Sequence, residues 1–168
     1  MIAVLRQACL LALLSGSAAA QGLEGSYDPS ILDDCMTAAK SPDAQRACIG
    51  VGAEACTLGE GGSTTIGYGY CFGSEGEDWD ARLNAVYQTL LPQQARLHED
   101  LQSFNPDFSN PQDRMRDMQR NWIAYRDAAC DWEYLQWSGG TGGGPAIAQC
   151  LMELTALQTI FLMQRTRQ

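Results

Sequence analysis

The chain has 168 residues, 20 Asp and Glu against 11 Lys and Arg, and a formal charge of −9. That balance excludes nucleic acid and anionic membrane surfaces as natural partners, since both would repel it. Residues 1–20 read as an export leader, with Arg6 as the positive flank, "ACLLALLSG" as a short apolar stretch and "AAA" as the cleavage site. Cys9 lacks the small apolar neighbours of a lipobox. Cleavage after Ala20 leaves 148 residues read as one domain, 21–168, and moves the charge to −10 by removing Arg6. No other segment is read as approaching the ~20 apolar residues of a membrane helix.

Six cysteines follow the leader: Cys35, Cys48, Cys56, Cys71, Cys130 and Cys150. An even count in an exported chain reads as three disulfides. Zinc is disfavoured, because there is no C-x-x-C pair and His98 is the one histidine.

In chain order, Asp28-Pro29 and Ser41-Pro42 are two N-cap and first-turn signals. They open two short helices joined by almost no linker, which fold back as a hairpin. Cys35 lies six residues before Ser41 and Cys48 seven after it, so the two face each other. The glycine-rich stretch from Thr57 to Glu75 reads as a loop, or as a weak helix starting near Thr65, stapled by Cys56 and Cys71. Ser74 and Glu77 have capping-box spacing, which puts the start of a firm helix no later than Asp78.

Trp79, Leu83, Val86, Leu90, Leu97 and Leu101 then form one apolar stripe of a long helix. Pro92 interrupts it and predicts a kink or local break. Asn110-Pro111 opens a second long helix. Its main stripe is Met115, Met118, Trp122, Tyr125, Ala129 and Trp132, with Ile123, Cys130, Tyr134 and Trp137 beside it. Two adjacent stripes predict a helix buried between neighbours. "SGGTGGG" ends it and Pro145 starts the last helix, whose expected apolar face is Ile147, Cys150, Leu154, Leu157 and Phe161. Cys130 and Cys150 sit ten residues either side of Gly140, so they meet across the antiparallel pair, a link worth ~3 kcal/mol. The expected fold is all-α: a small disulfide-stapled bundle of antiparallel helix hairpins.

Catalytic, cofactor and metal sites find no support. "GGTGGGP" lacks the Lys-Ser/Thr of a phosphate loop and follows a helix. The acidic groups Asp33/Asp34, Glu75/Glu77/Asp78 and Asp131/Glu133 read as helix-end or solvated charges, not a hydrolase pair. Arg126 reads as an interior organiser that stacks on an aromatic neighbour or bridges to another helix, with Asp127 beside it. The loop Ser138, Gly139, Gly140, Thr141, Gly142, Gly143 and Gly144 is the favoured contact element, because loops on rigid stems concentrate binding groups.

The run Trp122-Ile123-Ala124-Tyr125-Arg126-Asp127-Ala128-Ala129-Cys130, then Gly139-Gly140-Thr141, Cys150 and Leu154-Thr155, resembles the lysozyme inhibitor LprI-like N-terminal domain family. Asp78-Trp79 through Leu83-Asn84 to Tyr87 is similar to that family's upstream segment, so the likeness covers about 35–162, with its motif core over about 75–162. One departure is Gln158, where such domains tend to carry arginine. The resemblance implies a small exported helical domain, periplasmic or secreted, that is not an enzyme. It also implies an inhibitor of a basic lysozyme-type muramidase, with Trp122, Tyr125, Arg126 and Asp127 as structural motif residues. The alternative is an interaction module with an unrelated envelope partner, its specificity on the 57–75 loop or the Gly-rich loop. Oligomeric state is not encoded in these patterns.

Overall fold

The computed structural model describes residues 26–166, and the leader expected over 1–20 lies outside them. The described residues form α1 (Pro29–Ala38), α2 (Pro42–Arg46), α3 (Val51–Thr57), α4 (Thr65–Phe104), α5 (Pro111–Leu135) and α6 (Gly143–Met163), with no strand. The all-α expectation holds. Asp28, Ser41 and Asn110 each accept a hydrogen bond from the first turn of the helix they precede, as their sequence context predicts. Cys35 pairs with Cys48, Cys56 with Cys71, and Cys130 with Cys150.

Two boundaries differ from the sequence reading. The second short helix is split, because Gly50 takes a left-handed φ of 91° and separates α2 from α3. Of the two readings of the 57–75 segment the helix starting near Thr65 holds, capped by the Thr64 hydroxyl; what differs is the capping box, since Ser74 and Glu77 are interior to α4 and cap nothing. Glycine here serves close approach rather than a turn. A Cβ on Gly67 would sit 2.2 Å from the Gly61 carbonyl oxygen, and one on Gly76 would meet Met152 at 3.5 Å.

α4 is a 40-residue helix, about 60 Å long, and it runs through Pro92 without a break. Beside that proline the Gln112 amide of α5 donates to the Leu91 carbonyl at 3.0 Å, an acceptor bond from outside the helix. Two clusters pack along this spine. Leu32, Cys48, Ala53, Cys56, Cys71, Trp79, Met152, Ala156 and Ile160 form the first. Leu83, Val86, Leu90, Met115 and Leu162 form the second. Leu97, expected in the apolar stripe, is exposed, because the packed stripe ends at Leu90.

α6 begins at Gly143 rather than Pro145, and it buries the opposite face to the one expected. Met152, Thr155, Ala156, Gln158, Thr159, Ile160 and Leu162 are covered, whereas Leu157 and Phe161 face solvent. The polar members have partners: the Thr159 hydroxyl shares its proton between Thr155 O and Trp79 O, and Gln158 donates to Gln119 of α5 at 2.9 Å. α6 also corrects the expectation about apolar segments, since its 21 residues are long and apolar enough to cross a membrane by length and composition. Glu153 is its one charged residue. Its contacts here are those of a core helix, laid against α4 and α5 and bonded through Cys150.

Glu75 is fully buried in the first cluster. Its carboxylate accepts from Gly50 N at 2.6 Å, Ala53 N at 2.7 Å and the Trp79 indole at 2.9 Å. Gly50 is the N-cap of α3 and has no side chain to cap with, so Glu75 supplies that function from another helix. The helix-end role expected for this residue is therefore correct in kind, but it serves α3 and not α4.

Next to it, the Tyr27 hydroxyl donates to Asp78 at 3.2 Å, and Arg82 joins Asp78 to Asp33 of α1. Burial first, then the negative charges of Asp78 and Glu75, push the Tyr27 phenol well above its ordinary range. A raised folded value means a contribution to stability that is whole below the unfolded pKa of ~10 and lost as pH rises beyond it. Urea unfolding from about pH 9 to about pH 11 should therefore show a steeper loss for the wild type than for Tyr27→Phe. Parallel losses would rule the phenol out as the source.

Candidate partner-binding face

α5 is not the buried central helix that its stripes suggested. Among its residues only Met115 and Cys130 are buried. Tyr125, Trp132 and Trp137 are 62%, 60% and 51% exposed, and Ile123, Tyr134 and Leu135 also face solvent. The reason is geometric: helical periodicity finds apolar stripes, but α5 has neighbours, α6 and α4, on one side alone. The other side carries aromatic surface of the kind that marks interaction sites in soluble proteins.

α5 ends at Leu135, and the connection to α6 is a compact series of turns. Ser138 N bonds Leu135 O at 3.1 Å, Gly140 N bonds Trp137 O at 2.7 Å, and Gly143 N bonds Gly140 O at 3.2 Å. Ser138 and Gly139 both have positive φ, 47° and 82°. A Cβ on Gly142 would lie 2.1 Å from the Trp137 ring, and one on Gly143 would lie 2.8 Å from the Tyr134 ring. These glycines let the backbone lie flat against two aromatic rings. Ser138, Gly139, Gly140 and Thr141 are exposed, while Gly143 and Gly144 belong to the first turn of α6. The loop is thus a seat for Trp137, not a free-standing finger.

Beside it, between α5 and α6, lies an open groove of about 620 Å³ whose walls include Tyr125, Trp132, Glu133, Trp137, Gln149 and Glu153. Cys150 reaches its floor, so the Cys130–Cys150 bond holds the two walls in register. Gln149 donates to Glu153 at 2.8 Å. Among the described residues neither Glu133 nor Glu153 has an ion-pair partner.

Trp122 and Arg126 lie on a different side of α5. Trp122 packs against the second cluster, and the Arg126 guanidinium stands 5.0 Å from its ring centre, held by Asp127 at 2.8 and 2.9 Å. The stacking expectation holds, and the carboxylate partner is the adjacent residue rather than one on another helix. Asp80, Asn84 and Tyr87 of α4 line a second groove, about 370 Å³, with Trp122 and Arg126. The two halves of the sequence motif therefore meet in space, but Tyr125 points to the first groove. Of the residues near the first groove, Glu153 and Gln149 carried no sequence signal beyond helical spacing, and no clustered metal ligands occur among the described residues.

These features define a disulfide-stapled helical domain with an exposed aromatic and acidic face. The chain belongs to the lysozyme inhibitor LprI family, whose model matches residues 56–162. Membership assigns lysozyme inhibition at the level of the family. The match begins at Cys56, so α1, α2 and nearly all of α3 lie outside it, a shorter reach than the sequence motifs suggested. An uncharacterized protein of Rhizobium meliloti (strain 1021) is 27% identical over 85 residues, 51% of this chain. The aligned part spans 61% of that relative's length. No solved structure gives a significant match.

Proposed function

We propose that this protein is a non-enzymatic inhibitor of a basic lysozyme-type muramidase, exported through its leader to the periplasm or the exterior. The observation that carries the reading, beside family membership, is the exposed aromatic face at the α5–α6 turn, with Glu133 and Glu153 next to it and neither in an ion pair among the described residues. Three disulfides suit an oxidising compartment. In this reading α6 is a core helix rather than a membrane span. The formal charge of −10 left after the leader is removed speeds encounter with a basic enzyme, and the rigid face covers part of its cleft.

Cell-wall lysis by several purified lysozymes, measured against rising amounts of the leaderless protein, tests this. Lysis should fall, and the amount needed for half-inhibition should rise about tenfold or more between ~20 mM and ~300 mM salt. Unchanged lysis at large excess would end the proposal. A second reading, an envelope interaction module with a different partner, is favoured by the groove where Asn84, Tyr87, Trp122 and Arg126 converge away from the loop. Pull-down from periplasmic extract without any muramidase would support that one. Of the 57–75 segment only the turns before Thr65 remain a candidate contact loop, because the rest is helical.

A further inference from the structure

The chain stacks its own arginines on aromatic rings in one repeated way. Arg82 stands over Trp79 at 5.8 Å, Arg126 over Trp122 at 5.0 Å, and Arg165 over Phe161 at 3.5 Å. In each case the arginine follows its ring by three or four residues, the spacing that puts two side chains on one helix face. The aromatic residues of the α5–α6 groove have no such arginine of their own. Tyr125 is followed at those places by Ala128 and Ala129, Trp132 by Leu135 and Gln136, and Trp137 by Gly140 and Thr141. No basic side chain lines the groove, and its two carboxylates lack ion pairs among the described residues.

The geometry points to a seat for an arginine side chain supplied by the partner protein. The guanidinium lies against Trp132 and Trp137, and Glu133 and Glu153 accept its N–H groups. A planar, weakly hydrated cation suits this arrangement better than an ammonium, since it stacks on a ring while its edge donates two parallel hydrogen bonds to a carboxylate. An uncharged sugar would use the rings and leave both carboxylates without a counter-charge, so a glycan is the less complementary occupant. The inference rests on the muramidase reading only for the identity of the protein that carries the arginine.

The probe is N-acetyl-arginine amide, titrated into the leaderless chain at low salt while the indole N–H resonances of all four tryptophans are followed. The Trp132 and Trp137 signals should shift saturably, while those of Trp79 and Trp122 stay in place. N-acetyl-lysine amide should bind more weakly, and Trp132→Ala and Glu133→Gln should each weaken the arginine probe about three- to tenfold. Trp132 and Glu133 are exposed, so both variants keep the fold, which circular dichroism checks. No shift, shifts confined to Trp79 or Trp122, or a response to N-acetylglucosamine oligomers in place of the arginine probe would overturn the seat. Muramidase inhibition by the wild type that is unchanged in both variants would also overturn it. Probe binding without any muramidase inhibition would uphold the seat and sink the muramidase reading alone.

Discussion

Glu75→Ala should lower the stability of the protein by about 3–5 kcal/mol, or roughly 8–15 °C in melting temperature. The variant leaves Gly50 N–H, Ala53 N–H and the Trp79 indole without acceptors in the interior, and opens a void among Leu32, Ala53 and Trp79. α3 loses its cap at the same time, because Gly50 offers no side chain in its place. Glu75→Gln keeps the volume and one acceptor oxygen, but its amide N–H₂ must face either Ala53 N–H or the Gly50 and Trp79 donors. It should therefore lose about half as much. Thermal and urea unfolding of the two variants measure this directly. An alanine variant within about 1 kcal/mol of the wild type would show that the carboxylate is not what holds α3 on α4.

Removing both Cys130 and Cys150, as the double alanine variant, should cost about 3 kcal/mol and raise the half-inhibition concentration by about tenfold or more. The stability loss follows from the 20-residue separation that the bond closes. The functional loss follows from where the bond sits. α5 buries little besides Met115 and Cys130, so its second half is held to α6 chiefly at the cross-link, just beneath Trp132, Glu133 and Trp137. Without it the two walls of the groove separate. The Cys35/Cys48 double variant is the contrast, since that bond lies in the first cluster with α1 and α3. It should lose stability yet inhibit normally at temperatures where it stays folded. Equal inhibition by the wild type and the Cys130/Cys150 variant would separate the α5–α6 groove from function.

Local chemistry was legible in the residues, and tertiary neighbourhood was not. Asp28, Ser41 and Asn110 act within one turn of themselves, so composition alone locates their helices. Cysteine spacing about a turn reports distance directly: it yields Cys130–Cys150 and makes Cys35 and Cys48 natural partners, while the connectivity of Cys35, Cys48, Cys56 and Cys71 is read only from the fold. Gly67 and Gly76 misled because low helix propensity is a local quantity, while their role is to admit a carbonyl or Met152 from elsewhere in the chain. The stripes of α5 misled for a related reason: periodicity shows that a face is apolar, not that another helix covers it. Gln158 had looked like a missing family arginine. Buried and bonded to Gln119, it ties α6 to α5 with no charge to satisfy. Glu75 was visible as an acid near a helix start, but nothing in the sequence says that the start belongs to a different helix.

The long α4 divides the molecule in a way that its compact packing hides. Cys35–Cys48 and Cys56–Cys71 both lie before the turn at 105–110, and Cys130–Cys150 lies wholly after it. A single peptide cleavage in that turn yields two fragments with no covalent bond between them. One carries α1–α4 and two cross-links; the other is the α5–α6 hairpin with the third cross-link and the residues of the groove. What reunites them is packing of α6 and α5 along α4, with Met152 against Gly76, Ile160 in the first cluster and Met115 in the second, and the hydrogen bonds from Thr159 to Trp79 O and from Gln112 to Leu91 O. The protein is in that sense a split pair joined by one short tether, and the half that carries the α5–α6 groove is the smaller piece.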